Sequence, residues 1–335
     1  MRTAAFLIYI NPICIDLTLK KIKMKIIPTL VLIFTLTVQN LYSQTEEIVI
    51  LNTETGNLEG TLMMPVSNSS KTIALLIAGS GPTDRDGNNP VMKNNSLKML
   101  AEELSRNGIA SLRYDKRGIG KSMQAGLKEA DLRFENYVND AKEWTIYLKN
   151  ELKFNNIIVI GHSEGSLIGM IASQNNIVSK FISIAGAGQS ADKIIREQLK
   201  SQPMSVTIPA NTLLDKLAKG ETIADVPPIL YSLFRPSVQP YMISWIKYDP
   251  PQELSKLSIP VLIVQGTTDI QVGIDDANRL AKALPKAKLV IIEGMNHIMK
   301  PAPSDRQMNI STYTLPDLAL KNELVFNIIS FINPK

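Results

Sequence analysis

The strongest constraint on the fold is a β-branched run that leads into a Gly-x-Ser-x-Gly motif. Asn156-Ile157-Ile158-Val159-Ile160 is short, continuous and apolar, which is typical of a buried parallel strand. Gly161-His162-Ser163-Glu164-Gly165 follows, and residues 163–172 carry apolar side chains at helical spacing. Strand, sharp turn and helix form the setting in which such a serine is exposed on a strained turn. The flanking glycines suit that turn because neither carries a Cβ atom.

Histidine is scarce in this chain, and its scarcity narrows the choice of a general base. The sequence holds two histidines, His162 inside the glycine motif and His297 just after the apolar run Lys288–Ile292. An imidazole is suited to proton transfer near neutral pH because its unperturbed pKa falls there. We interpret His162 as a packing or hydrogen-bonding residue of the turn, so His297 is the candidate base.

Asp269 is the candidate acidic partner of His297. It follows the apolar run Val261–Gly266 and lies between the serine and the histidine in the sequence. Asp275 and Asp276 compete for the role, but they precede a helical pattern and are typical of a helix N-cap.

The chain order Ser163, Asp269, His297 resembles that of the α/β-hydrolase superfamily. The local sequences around these residues also resemble those of the superfamily, with Gly266-Thr267-Thr268-Asp269 at the acid and Gly294-Met295-Asn296-His297 at the base. Ala78–Asn88, which contains Gly-Ser-Gly-Pro-Thr-Asp-Arg-Asp-Gly-Asn, resembles a bacterial carboxylesterase subgroup with a helical cap. The resemblance spans roughly residues 46–333. It implies an α/β-hydrolase fold, with a mostly parallel sheet of about eight strands, helices on both faces and an inserted helical cap.

The alternation of strand and helix patterns predicts the domain organisation. A hairpin is expected over residues 47–64, with its turn at 54–57. The other predicted strands are 72–77, 109–114, 156–160, 180–184, 259–265 and 287–292, and the predicted core helices are 96–106, 140–152, 163–172 and 316–332. The domains expected from this pattern are a signal peptide over 1–43, a hydrolase core over 44–187 and 251–335, and a cap over 188–250.

The predicted cap interrupts the alternation with four helical segments, 190–199, 211–217, 228–234 and 241–248. Its place just before the acid strand puts it over the mouth of the serine turn. Tyr231, Phe234, Met242 and Trp245 are candidates for the wall of an acyl pocket. The alternative is that these side chains only pack the cap onto the core.

The predicted chemistry is that of a serine esterase. Ser163 attacks an ester carbonyl, His297 takes the proton, and Asp269 orients the imidazole and stabilises its charged form. Two backbone N–H groups stabilise the oxyanion: that of Glu164, the residue after the nucleophile, and that of Gly81. Ser80 is the close rival of Gly81, whereas Pro82 has no N–H to offer.

Other acidic residues near these motifs receive structural roles. Asp115, in Asp115-Lys116-Arg117-Gly118, resembles a superfamily loop that holds the front of the site. Asp84 and Asp86 are expected to brace their loop rather than bind a metal, because no spare histidine lies near them. No metal and no cofactor are expected.

Three functions from different classes remain open at this stage. The first is hydrolysis of small-molecule carboxylic esters. The second is a serine peptidase, acyl-peptide hydrolase or thioesterase of the same fold; a peptidase would need acidic groups for a substrate α-amine, and Glu164 is one candidate. The third is a non-catalytic hydrolase-like binding protein, which has no need of all three triad residues. A dehalogenase or epoxide hydrolase is excluded because it uses a carboxylate where this chain has Ser163.

The charge balance argues against a nucleic-acid partner. The formal charge is +5, but the first 43 residues hold five of the 36 basic and one of the 31 acidic residues. The rest of the chain therefore carries 31 basic against 30 acidic residues, a formal charge of +1. No basic run with interleaved aromatic residues is found in the sequence.

The N-terminal segment has the pattern of an export signal. Four lysines between Lys20 and Lys25 precede an apolar stretch over 26–38, about thirteen residues and short for a membrane span. Ser43 before Gln44 is a plausible cleavage position, and Met24 is the expected true start. The alternative is an uncleaved N-terminal anchor. Cleavage would remove Cys14, the one cysteine, and leave a periplasmic or secreted enzyme with no stable membrane insertion.

If the segment is a cleaved signal, the mature protein begins at or near Gln44, because the apolar stretch is too short for a stable anchor. Mass spectrometry of the secreted or periplasmic protein measures that terminus. Peptides from residues 1–23 on the active protein would contradict both the cleavage position and the start at Met24.

Overall fold

One mixed sheet organises the protein, with strands in the order β1-β2-β4-β3-β5-β6-β7-β8. The structure is a computed structural model and describes residues 45–66 and 70–334. In these residues the strands are Thr45–Thr53 (β1), Gly56–Met64 (β2), Thr72–Ile77 (β3), Ala110–Tyr114 (β4), Asn156–His162 (β5), Val178–Ile184 (β6), Val261–Gly266 (β7) and Lys288–Ile292 (β8).

The sheet is antiparallel at one end and parallel elsewhere. β2 pairs antiparallel with both β1 and β4, and every other neighbouring pair is parallel. The hairpin turn is tighter than predicted, because Thr53 pairs with Gly56 and leaves only residues 54 and 55 between the strands. The prediction of a mostly parallel sheet of about eight strands is confirmed.

Helices lie between the parallel strands and after the last of them. Their bounds are Ser96–Arg106 (α1), Phe134–Asn150 (α2), Glu164–Ala172 (α3), Ala191–Leu199 (α4), Met204–Ala218 (α5), Tyr231–Phe234 (α6), Gln239–Ile246 (α7), Pro250–Ser255 (α8), Ile274–Ala283 (α9), Arg306–Ser311 (α10) and Asn322–Ile332 (α11). Short 3-10 helices cover Gly120–Ala125, Glu129–Asp131, Pro228–Leu230, Pro236–Val238 and Thr312–Thr314.

The inner strands of the sheet, such as β3, β5 and β7, are buried on both faces, which explains their continuous apolar runs in the sequence. Successive strand residues point to opposite faces. In β3, Leu75 belongs to the apolar core beneath α2 and α3, whereas its neighbour Leu76 belongs to the core beneath α1 and α11, and neither is more than 1% exposed. A strand covered on both sides has no polar face, so alternation is lost from its sequence.

Two core helices begin at places that the sequence pattern did not indicate. The helix predicted over 140–152 is α2, which begins at Phe134 because Asn136 caps its first turn by accepting the Arg133 amide at 2.7 Å, with Phe134 fully buried. The helix predicted over 316–332 begins at Asn322 as α11. Residues 312–314 form a separate 3-10 turn before it.

The four helices α4 to α7 lie between β6 and β7, within the predicted insertion of residues 188–250. They have an apolar core of their own, which includes Ile194, Leu214, Phe234 and Met242. α5 begins at Met204, earlier than the predicted 211, and contains Pro209 in its first two turns. The division of the chain into domains at residues 188 and 250 stays a prediction.

The predicted signal peptide over 1–43, with the start at Met24 and the cleavage before Gln44, lies outside the described residues. Residues 67–69 are also outside them. Among the helices of residues 45–66 and 70–334, none combines the length and apolar character that a membrane crossing needs.

Candidate active site

Ser163 lies on a strained turn between β5 and α3. Its backbone has φ 55° and ψ −122°, a left-handed value that a residue with a side chain rarely adopts. The turn is held in place by the Ser163 amide, which donates to the carbonyl of Ile184 at 2.9 Å. The side chain faces a cavity at the carboxyl edge of the parallel strands, at the N-terminus of α3, where unpaired backbone N–H groups favour negative charge.

Gly161 and Gly165 are required because the chain passes so close to itself at this turn. A Cβ atom on Gly165 would lie 2.3 Å from the carbonyl oxygen of Ile77, and one on Gly161 would lie 2.2 Å from that of Gly165. Neither separation is possible between real atoms, so no other residue type fits without moving a strand or the helix.

Asp269 and His297 meet at the same edge, on the loops after β7 and β8. His297 Nδ1 lies 2.8 Å from Asp269 Oδ2, and the two side chains are 6% and 0% exposed. Because a carboxylate can only accept, Nδ1 carries a proton, and in the neutral form of the ring Nε2 then holds the lone pair. The imidazole is therefore in the tautomer that can take a proton from a nucleophile.

The Asp269 carboxylate is held by three further hydrogen bonds. Oδ1 accepts from the amides of Gln271 at 2.8 Å and Val272 at 3.0 Å, and Oδ2 accepts from Gln265 Nε2 at 3.1 Å. Burial raises the pKa of Asp269, but the neighbouring His297 and the backbone amides outweigh it and lower the pKa below its usual value. The acid therefore stays ionised.

His162 joins the serine turn to the histidine loop. Its Nε2 lies 2.8 Å from the main-chain carbonyl of His297, and the centroids of the two imidazole rings are 4.9 Å apart. Burial, with a smaller effect from the nearby His297, lowers the pKa of His162 to about 4, so its ring is neutral at pH 7 and Nε2–H donates. In the described residues the Ser163 hydroxyl makes no hydrogen bond to His297, and unliganded sites often form that bond only with substrate.

The loop after β3 passes directly over Ser163. A Cβ atom on Gly79 would lie 3.1 Å from that of Ser163, and Ser80, Gly81 and Glu164 line the same cavity as the serine. The amide of Glu164 is the first of α3 and has no acceptor within the helix. The oxyanion roles of Gly81 and Glu164, with Ser80 as the rival, stay predictions.

The cavity in front of Ser163 has a volume of about 560 Å³, and Met242 and Trp245 contribute to its wall. Tyr231 and Phe234, expected beside them, are placed elsewhere. Tyr231 is 53% exposed, and Phe234 is fully buried in the cap core. Both belong to the four-residue helix α6, whose buried side packs into the cap. Helical spacing alone did not distinguish the cap's inner core from its pocket face.

The remaining acidic residues hold loops together. Asp115 accepts from the Arg85 amide at 2.8 Å and from its guanidinium at 2.7 Å. Asp84 Oδ1 accepts from the amides of Asp86 and Asn88 within its own loop. Each of these carboxylates thus braces the loop that carries Gly81.

Asp276, the rival acid in the sequence, lies in the first turn of α9. It accepts from the amides of Gly188 at 3.0 Å and Gly273 at 3.2 Å. The helix N-cap is Gly273, so neither Asp275 nor Asp276 is the cap residue itself.

Two polar residues of the site were not identified from the sequence. Gln265 donates to Asp269 and is fully buried. The sequence did contain a signal for it, because Gln265 is a polar residue that directly follows the apolar run Val261–Val264. Lys116 was seen only as part of the Asp115 loop, yet its ammonium is buried against the serine turn. A lysine is usually exposed, and nothing in the sequence around Lys116 indicates that this one is buried.

Sequence models of two families match the chain. One, described as serine aminopeptidase, S33, matches residues 93–224, which include Ser163. The other, described as TAP-like protein, matches residues 244–310, which include Asp269 and His297. No curated protein matches the sequence at a significant level.

Solved structures resemble the protein over most of its length. Est1E from Butyrivibrio proteoclasticus, solved with ferulic acid, is 22% identical with a TM-score of 0.58, covering 86% of this chain and 100% of its own. This chain has the α/β-hydrolase fold. The α/β-hydrolase fold is also seen in the esterase Pf2001 from Pyrococcus furiosus, 19% identical with a TM-score of 0.54, covering 87% of this chain and 91% of its own. A puromycin-hydrolysing peptidase from Mycobacterium tuberculosis is 14% identical with a TM-score of 0.55, covering 87% of this chain and 39% of its own.

The buried neutral His162 predicts a specific loss of stability in acid. The unfolded chain takes up a proton near pH 6.5, whereas the folded protein keeps the ring neutral down to about pH 4. Between these pH values the unfolded state binds more protons, so the free energy of unfolding falls as the pH falls, by about 3 kcal/mol in total. His162→Gln, whose amide can still donate to His297, should lack this component. Urea unfolding of both proteins from pH 7 to pH 4 measures it.

Groups common to both proteins cancel in the difference between wild type and His162→Gln. We expect that difference to shift in favour of the variant as the pH falls. A difference independent of pH would contradict the assignment of a neutral, buried His162.

Proposed function

We propose that this protein is an exported serine hydrolase, similar to bacterial carboxylesterases, that cleaves carboxylic esters through a covalent acyl-enzyme. The observation that carries the proposal is the 2.8 Å hydrogen bond between His297 Nδ1 and Asp269, at the sheet edge where Ser163 faces a cavity. A strained serine, an oriented imidazole and a buried carboxylate are the parts that acyl transfer needs.

In the proposed first half-reaction, Ser163 Oγ attacks the ester carbonyl carbon as His297 Nε2 takes the hydroxyl proton. The negative charge moves to the former carbonyl oxygen, where the amides of Glu164 and Gly81 donate hydrogen bonds. Each such donor contributes about 3 kcal/mol in comparable enzymes. Asp269, ionised and fully buried, stabilises the imidazolium that forms.

Collapse of this intermediate breaks the bond to the alcohol oxygen, and the imidazolium of His297 returns its proton to the departing alcohol. The acyl group is then bound to Ser163 as an ester. A water molecule attacks that ester with the same histidine as base, which releases the carboxylic acid and restores the serine hydroxyl.

The cavity favours an uncharged, largely apolar acyl group. Its apolar lining includes Leu132, Leu167, Ile194, Val238 and Trp245, beside Ser163 of the elbow, which is the turn over residues 161–165. An apolar wall stabilises a bound acyl chain in proportion to the area removed from water.

The carboxylates of the cavity wall argue against an aminopeptidase, which would need one free for a substrate α-amine. Glu164 accepts from Lys116 on one oxygen and from the Tyr241 hydroxyl on the other. Glu129 accepts from Arg235 and from the Ser237 hydroxyl. In the part of the chain that the structure describes, these are the acidic residues of the wall, and both are already paired.

Export is the part of the proposal that rests on the sequence alone. The lysines and the apolar stretch before Gln44 support it, and a periplasmic or secreted location follows from it.

Because a triad acts as a unit, Ser163→Ala should lower ester turnover by at least about 10⁴-fold and abolish labelling by a fluorophosphonate probe. His297→Ala should lose a similar factor, and the double variant little more. The assay is a panel of p-nitrophenyl esters of rising chain length, run beside aminoacyl-anilides. Ser166→Ala is the matched control, since that hydroxyl bonds to Ser183 at 2.7 Å within the core.

The outcomes of this panel separate the candidate functions. Faster turnover of anilides than of esters would support the peptidase instead. Folded wild-type protein that neither turns over any substrate nor reacts with the probe would support a non-catalytic binding protein. Retained labelling of Ser163→Ala would rule out Ser163 as the nucleophile.

Trp245 should set the acyl-chain preference, because its ring forms part of the cavity wall and stacks on Phe134 with ring centroids 6.2 Å apart. Trp245→Ala widens the cavity. Because one methylene group in an apolar pocket is worth about 1–3 kcal/mol, we expect the ratio of kcat/KM for long over short acyl esters to change by about tenfold or more. The control is Tyr231→Ala, an exposed aromatic of the same cap. An unchanged ratio in Trp245→Ala would mean that core loops define the acyl site.

A further inference from the structure

A buried ammonium group joins the two arms of the proposed oxyanion hole. Lys116 Nζ donates to the main-chain carbonyl of Gly79, in the loop that continues to Gly81. The same Nζ lies 3.2 Å from Oε2 of Glu164, whose backbone N–H is the other expected donor. The side chains of Lys116 and Glu164 are 1% and 2% exposed. One side chain therefore contacts both segments whose amides must converge on the oxyanion.

The cap reaches the same cluster through a tyrosine. Tyr241, on α7, is buried and donates its hydroxyl to Oε1 of Glu164, so both carboxylate oxygens are occupied. The Lys116 ammonium also lies 5.0 Å from the centroid of the Tyr137 ring, on α2. The ion pair is thus enclosed by the core on one side and by the cap on the other.

Stability alone does not account for charges in this position. A buried ion pair is often no more stable than apolar residues of the same volume, whereas removal of one partner leaves a costly unpaired charge. The carboxylate of Glu164 belongs to the residue next to the nucleophile, where a negative charge develops during the reaction. Without its counter-ion it would oppose that charge.

We propose that Lys116 is a positioning residue for ester hydrolysis, which holds the Gly79–Gly81 loop against the elbow and neutralises Glu164, and that Tyr241 links this pair to the cap. The inference rests on the proposed function. In the proposed function the triad performs the chemistry. Lys116 adds to this by setting the geometry and charge of the oxyanion site through the Gly79–Gly81 loop and Glu164.

The first test is Lys116→Met, which keeps the length of the side chain and removes the ammonium. Loss of a whole oxyanion donor costs about 10² to 10³ in kcat, and displacement of donors should cost less. We therefore expect kcat to fall by about 10- to 100-fold, with KM changed by less than about threefold. Lys180→Met is the matched control. Lys180 Nζ also donates to main-chain carbonyls, those of Phe331 and Ile332 in α11, each at 2.8 Å.

The second test separates charge from packing. Adding Glu164→Gln to Lys116→Met removes the unpaired carboxylate and keeps its shape, so kcat should recover by at least about fivefold over the single variant. A purely structural role predicts no recovery. A double variant as slow as Lys116→Met would overturn the charge argument. If Lys116→Met does not fold, kcat of the double variant is compared with that of wild type, because the double variant has no unpaired charge. A kcat equal to that of wild type would overturn the positioning role.

The third test addresses the cap. Tyr241→Phe removes only the hydroxyl that Glu164 accepts, and we expect kcat to fall by about three- to tenfold. Tyr248→Phe is its control, because that hydroxyl donates to Glu135 at 3.0 Å outside the cavity. Equal kcat values for Tyr241→Phe and Tyr248→Phe would overturn the link to the cap. Wild type inactive on every ester would refute the proposed function; active wild type with Lys116→Met at full kcat would refute this inference alone.

Discussion

The site depends on one close approach of the chain to itself, at the turn between β5 and α3. Gly161 and Gly165 leave no room for a side chain there, and Ser163 takes a left-handed backbone conformation as a result. The strain is tolerated because β5 lies in the middle of the sheet and is itself buried on both faces. The same turn exposes the serine, begins α3 and brings its first free amide beside the cavity. Moving the turn would therefore disturb Ser163 and its electrostatic surroundings together.

Parallel strand direction brings the remaining groups to that turn. The loops after β3, β4, β5, β7 and β8 all leave the same edge of the sheet, so residues far apart in sequence meet there. The charged residues of the cavity wall are paired within the protein: Lys116 with Glu164, Arg117 with Asp140 and Arg235 with Glu129. This pairing leaves a cavity wall with little free charge, which suits an uncharged ester better than an ionic substrate.

The two histidines are held by different contacts. His297 is oriented by Asp269, which Gln265 and two backbone amides hold in turn. His162 is kept neutral by burial and donates to the main-chain carbonyl of His297, so it supports the loop that carries His297. A chain with only two histidines thus places both within one hydrogen-bonded unit.

The sequence by itself determined the serine turn, the strands, and the places of Asp269 and His297 after two of those strands. Each depends on a short-range pattern: a β-branched run, a glycine on either side of a serine, a histidine just after a strand. It also placed helices in the segment 188–250. Only the tertiary structure decided which side chains of that segment face the cavity, putting Met242 and Trp245 on its wall, Phe234 in the cap core and Tyr231 at the surface. Likewise, nothing local to Lys116, Glu164 or Tyr241 indicates that the three meet. Such contacts join residues distant in sequence, and their energy comes from burial that only the packed chain creates.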